Sequence, residues 1–214
     1  MPLKILCFGN SLTAGFRSYG IKPDHPYALT LKEQLLSAEL DASILGGDGE
    51  VGIDVEGQPG DLVNCPPGRF LERMKRRLEA KTYDWIIVLG GTNDLGYGSF
   101  SADQIYTGLK TTWSLALSSS PTTKILALTV PECAYKSAKL DGNRDALNKF
   151  ILGHEEERFY AFDLKSAIPY HDMDEQRIEE IWDDGLHFTD KGYDLMGEVI
   201  SERLLELLTK STST

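Results

Sequence analysis

The chain has 214 residues, 41% hydrophobic and 26% charged, the makeup of an ordinary folded domain with a full core and neither a disordered nor a fibrous composition. Its 33 acidic residues against 22 basic ones give a net charge of -11, so nucleic acid and anionic membrane surfaces are not expected as partners. Cys7, Cys65 and Cys133 lie far apart without metal-ligand spacing, which argues against a disulfide framework or a zinc site.

In chain order, the apolar runs Leu3 to Phe8, Trp85 to Leu89, Lys124 to Val130 and Phe159 to Leu164 predict strands, with Ala42 to Leu45 as a further short one. Helical patterns fall between them, over Pro26 to Leu40, Phe70 to Ala80, Ala102 to Leu117 and Leu140 to Leu152. A last helix is expected over Asp190 to Leu208, with Thr189 as its N-cap. The alternation of strand and helix implies βαβ units with right-handed crossovers and a three-layer α/β sandwich. One domain is expected over residues 1–209, with a frayed polar tail over 210–214.

The basic cluster Arg69, Arg73, Lys75, Arg76 and Arg77 is expected on the solvated face of its helix. The glycine-rich stretch Gly46 to Gly68 is expected to be a long irregular loop of functional type. No run approaches the roughly 18 apolar residues of a membrane span, and the opening MPLKILCFG is too short for a signal segment. A cytoplasmic protein is expected, with a secreted form left open if a leader has been removed.

Chemistry is expected where ligands bind in such folds, beyond the carboxyl ends of the strands. In FGNSLTAG, Ser11 stands two residues past the first strand, between glycines that permit a tight turn, at the start of a helical segment with free N–H groups. Alone it reads as an N-cap serine. Near the other end, DDGLHFTDKGY places Asp184 three residues before His187, close enough for one turn to bring the carboxylate to Nδ1 and leave Nε2 free. In GGTNDLG, after the most apolar strand, the Asn93 amide is positioned to donate to an oxyanion, although GTND is also good turn chemistry. A backbone donor is expected from the glycine loop. Spacing alone does not choose among Gly46, Gly47, Gly49, Gly52, Gly57 and Gly60 of GQPGD.

Taken together, GNSL, GQPGD, GTND and DGLH resemble the motif blocks of the SGNH hydrolases, the GDSL-like esterases and lipases, over nearly the whole chain. The resemblance implies a five-stranded parallel sheet of flavodoxin-like order and a serine esterase acting on a small-molecule ester, with no metal and no organic cofactor. It implies Ser11 as nucleophile, Asp184 and His187 as its partners, and Ser11, Gly60 and Asn93 as oxyanion donors. The departure is Asn10, where the family usually has aspartate. The acidic balance and the lack of an evident membrane-binding helix favour short-chain acyl or acetyl esters. The remaining histidines, His25, His154 and His171, are expected to be surface or packing residues. A nucleotide-binding module is disfavoured by the absence of a phosphate-binding glycine motif. A catalytically silent relative used for interaction is the alternative to the enzyme.

Overall fold

Strands that are apolar at successive positions need cover on both faces. The runs LKILCFG and WIIVL meet this demand as inner strands β1 (Leu3–Gly9) and β3 (Trp85–Leu89) of the computed structural model, which describes residues 2–38, 49–64, 69–97 and 100–210. With β2 (Val51–Gly57), β4 (Lys124–Leu128) and β5 (Phe159–Phe162) they form an all-parallel sheet in the order β2-β1-β3-β4-β5. This is the flavodoxin-like order, whose topological switch point lies between β1 and β3.

The helices of the described residues are α1 (Ser11–Ala14), α2 (Ala28–Ser37), α3 (Arg69–Ala80), α4 (Thr92–Gly96), α5 (Ala102–Ser118), α6 (Ala138–Leu152), α7 (Leu164–Ala167), α8 (Glu175–Ile181) and α9 (Asp190–Lys210). Side chains alternate along each inner strand between two cores. Ile5, Cys7, Ile87 and Leu89 pack with Leu31 and Leu35 of α2 and Met196, Ile200 and Leu204 of α9. Leu6, Phe8, Ile86 and Val88 pack with Phe70 and Met74 of α3, Leu109 and Trp113 of α5, and Leu147 of α6. Each fully buried side chain of this kind contributes about 1.5–3 kcal/mol relative to exposure. The sheet is thereby fixed from both sides, and its carboxyl edge becomes a rigid platform.

Thr189 caps α9 as expected, its hydroxyl accepting from Gly192 N–H at 3.1 Å. That helix runs through Lys210, so the expected tail begins one residue later, and 211–214 lie outside the described residues, as does the expected strand Ala42–Leu45. The strand paired with β1 is instead β2, inside the stretch expected to be irregular. Val51, Ile53 and Val55 face one core with period two, but Gly52 and Gly57 mask the pattern. Gly57 has a packing reason, since a Cβ there would lie 2.1 Å from Ala14 N. The close approach of β2 to α1 requires a residue with no side chain.

A second correction concerns Arg73. Phe70, Arg73 and Met74 share the inner face of α3, and Arg73 is buried rather than solvated. Helix α8, with Asp174 as its cap, was also not anticipated.

Candidate active site

Where β1 ends, Asn10 turns the chain into α1, and its side-chain Oδ1 accepts from Leu12 N–H at 3.0 Å. Asn10 is therefore the N-cap, and Ser11 occupies the first helical position, 5% exposed. Its backbone N–H belongs to the set of helix-start donors without an intrahelical acceptor. Asn10 keeps the acceptor that an aspartate would supply. Its Nδ2 is buried and has no acceptor among the described residues.

Residues 182–188 form a tight loop closed by an antiparallel bridge between Trp182 and Phe188. Within it Asp184 Oδ1 accepts from Leu186 N–H at 3.0 Å and from His187 N–H at 2.7 Å, an Asx-type turn that folds the sequence DGLH back on itself. The turn leaves Oδ2 facing His187 Nδ1 at 2.8 Å. With Nδ1–H donated to Asp184, His187 Nε2 is an acceptor, and it lies 3.0 Å from Ser11 Oγ. Burial pushes the Asp184 carboxyl up, but the hydrogen bonds from His187 and Leu186 outweigh it and hold the group below its ordinary value. The aspartate thus stays ionised beside the imidazole. Such a row can move a hydroxyl proton onto imidazole while the carboxylate stabilises the resulting cation.

Phe16 covers the outer side of the histidine, ring edge to ring at 4.9 Å, and its carbonyl accepts from Tyr193 Oη at 2.7 Å. The segment after it is tied down by the Arg17–Asp190 ion pair and by Ser18 N–H donating to Asp183. These contacts hold the imidazole plane against solvent.

Asn93 sits at the start of α4, directly beyond β3 and therefore beside Ser11 across the switch point. Its Nδ2 donates to Asp61 O at 2.8 Å, which uses one of its two N–H groups and orients the other. Asp94 ties down the same loop, accepting from Val63 N–H at 2.9 Å and Asn64 N–H at 3.0 Å. Burial pushes the Asp94 carboxyl up, against those backbone hydrogen bonds. Gly60 has φ +77°, and its carbonyl accepts from Tyr97 Oη at 2.8 Å.

Sequence reasoning missed the residue that holds this loop from below. Arg73 donates through Nε to Asp61 Oδ2 at 3.0 Å, through Nη2 to Gly9 O at 2.8 Å and through Nη1 to Glu56 O at 3.0 Å, and its guanidinium lies 4.6 Å from the Phe8 ring centroid. It joins the ends of β1 and β2 to the residue whose carbonyl holds Asn93. The available signal was its i+3 spacing from Phe70 and its place next to Met74.

A cavity of about 330 Å³ opens beside Asn93 and Asp184, walled by Leu95, Gly96 and Tyr97 and by Val130, Pro131 and residues 133–135. Gly60 lines a different cavity, of about 380 Å³, against α3. Leu95, Gly96 and Tyr97 of the wall beside Asn93 follow β3, while Phe16 and Ser18 pack on the His187 loop. His25 pairs with Asp194 at 2.8 Å, and His154 packs among Trp113 and Phe159 while meeting Tyr106 Oη at 2.9 Å. Cys7 is free and buried, Cys133 is free, and Cys65 lies outside the described residues. No group of three or more metal-binding side chains occurs among the described residues, and no described helix is long and apolar enough to cross a membrane.

The model of the GDSL-like Lipase/Acylhydrolase family matches residues 7–195. The chain belongs to this family and is a carboxylic ester hydrolase. Similar solved structures include the native aryl esterase of M. smegmatis, 20% identical with a TM-score of 0.71 over 96% of this chain and 99% of that one. A lipase/acylhydrolase from Enterococcus faecalis is 21% identical, with a TM-score of 0.71 over 94% and 95% of the two chains. Est24, a carbohydrate acetylesterase from Sinorhizobium meliloti, is 20% identical, with a TM-score of 0.66 over 96% and 99%. At these identities the likeness establishes the three-layer fold. No curated protein matches the chain.

Proposed function

We propose that Ser11 is the nucleophile of a double displacement on a carboxylic ester, with His187 as general base and acid and Asp184 as its orienting carboxylate. The observation that carries this reading is the unbroken row from Asp184 Oδ2 through His187 to Ser11 Oγ, with separations of 2.8 and 3.0 Å. His187 Nε2 takes the Ser11 proton as Oγ bonds to the ester carbonyl carbon. The carbonyl oxygen becomes an oxyanion held by the Ser11 N–H, the Gly60 N–H and the free N–H of Asn93 Nδ2. Collapse expels the alcohol, which leaves with the proton from His187. Water, deprotonated by His187, then cleaves the acyl-enzyme to release the acid and regenerate Ser11. Each proton and charge in this scheme is handled by a residue of the chain.

The substrate class is a small ester with a short acyl or acetyl group. The modest volume of the cavity beside Asn93 supports this reading, as do similar structures named for aryl and carbohydrate acetyl esters. The test is intact mass after treatment with a fluorophosphonate, on the wild type and on Ser11→Ala. One adduct on the wild type and none on the variant supports an activated serine, and an ester panel then ranks chain lengths. No adduct on either folded protein rejects the catalytic reading in favour of an interaction role. Cleavage of long-chain esters alone overturns the substrate class.

A further inference from the structure

The cavity beside Asn93 has an unusual wall. Most of it is apolar, with Leu95, Val130, Pro131, Leu140 and Leu186 among its lining residues. One cation also lines it: Arg144, from α6, which is 3% exposed. A guanidinium carries five N–H donors in a planar fork suited to bidentate pairing with a carboxylate. Among the described residues Arg144 gives Nη1 to Asp141 Oδ1 at 3.0 Å and Nη2, weakly, to Cys133 Sγ at 3.5 Å. A thiol is a poor acceptor, so much of the fork has no strong partner.

A buried cation is costly unless it is paired and hydrogen-bonded. If Arg144 only tied α6 to the loop before it, a neutral side chain would serve at lower cost. Asp141 holds one arm of the fork and thereby orients it. The other carboxylate at the cavity, Asp184, already accepts from His187 and Leu186 and so does not pair with Arg144. Past Leu140 the cavity shares its wall with a larger groove of about 660 Å³ that carries Lys139, so positive charge continues outward.

We propose that this cavity is a subsite for a carboxylate borne by the ester, and that Arg144 is its specificity-determining residue. The inference rests on the hydrolytic reading above and narrows it to esters with an acidic group at one end. The carboxylate belongs either to the acyl part, as in a half-ester of a dicarboxylic acid, or to the alcohol part, as in an acylated hydroxy acid. The chemistry read by Arg144 is the same in both.

The test compares matched pairs. For the acyl side the pair is the 4-nitrophenyl half-ester of succinic acid and 4-nitrophenyl butyrate; for the alcohol side it is O-acetylglycolate and ethyl acetate. The expected result is a wild-type kcat/KM favouring the acidic member of one pair, with Arg144→Gln lowering that acidic-to-neutral ratio about 10- to 100-fold and Arg144→Lys falling between. The pair that responds identifies the side bearing the acid. No acidic preference in either pair, or a ratio unchanged in folded Arg144→Gln, overturns the proposal. Should Arg144→Gln not fold, Leu140→Glu puts an opposing charge on the cavity wall and is expected to lower the same ratio; an unchanged ratio there overturns it too. Calorimetric titration with succinate separates this proposal from the hydrolytic reading. If no ester is cleaved and Ser11 takes no fluorophosphonate, succinate binding abolished by Arg144→Gln upholds the subsite while the esterase reading falls. Absence of succinate binding then ends both.

Discussion

Arg73 and Asp61 meet at 2.8 Å with side chains 6% and 3% exposed, a buried ion pair lying directly beneath the loop that carries Gly60. Removing one partner of such a pair strands the other charge, which costs about 3–5 kcal/mol, a large share of a typical folding free energy. Arg73→Ala is therefore expected to lower the denaturant midpoint sharply. Arg73→Lys keeps the charge but loses the fork that also reaches Gly9 O and Glu56 O, so it is expected to fold with a reduced kcat. Chemical denaturation paired with initial rates on one ester checks both. Full activity in Arg73→Lys would show that the clamp does not position the loop.

Asn93→Ala deletes a proposed oxyanion donor together with the bond to Asp61 O. The expected result is a kcat lower by about 100- to 1,000-fold with a smaller change in KM. The lost hydrogen bond alone costs about 1 kcal/mol of stability, so the variant remains folded. Steady-state kinetics with a circular dichroism melt distinguishes this from simple unfolding.

Asp184 gives a prediction with a definite sign. Its folded pKa lies below the ordinary 3.8, so its contribution to stability is fully present above that value and is lost as pH falls through the folded pKa. The gap in melting temperature between wild type and Asp184→Asn is therefore expected to shrink as pH falls below about 4. The variant is also expected to lose about 10⁴-fold in kcat, since the histidine is no longer held in the correct tautomer. A gap that widens toward acid would refute the assigned direction.

Two glycines separate strain from collision. At Gly60, with φ +77°, a Cβ meets nothing nearer than Tyr97 Oη at 3.5 Å, so Gly60→Ala carries mainly a left-handed backbone cost of about 1–2 kcal/mol. Gly57→Ala drives a methyl onto the α1 backbone at 2.1 Å and is expected to prevent folding or activity altogether. Thermal melts of the two variants, side by side, test the ranking.

The parts of this architecture that were legible in the sequence are those where one local pattern decides one structure. The all-apolar runs of β1 and β3 leave no alternative to burial on both faces, and the residues following them, Ser11 and Asn93, fall on the same edge by topology. The Asp184–His187 spacing suits the Asx turn that brings carboxylate and imidazole together. β2 was hidden because Gly52 and Gly57 serve packing against another element, which local propensity does not register. Arg73 was hidden for a related reason. Its charge matches the solvated side chains around it, while its burial follows from acceptors on strands distant in sequence. Arg144 is similar, a cation whose meaning depends on the cavity beside it.

Ser11 and His187 are 176 positions apart, and the edge contact of Phe16 on the same imidazole bridges nearly as long a stretch of chain. Contacts of such long range form only after the intervening chain has given up its freedom, and their loop-closure entropy is not repaid by any local structure. The first strand and the last helix must therefore be docked before Ser11 meets its proposed base. On the proposed mechanism, a chain still emerging from the ribosome, or one stalled with α9 unpacked, carries every motif and yet has no reactive hydroxyl. Recovery of fluorophosphonate labelling during refolding thus marks completion of the whole sandwich, and it is expected to trail the return of helical signal.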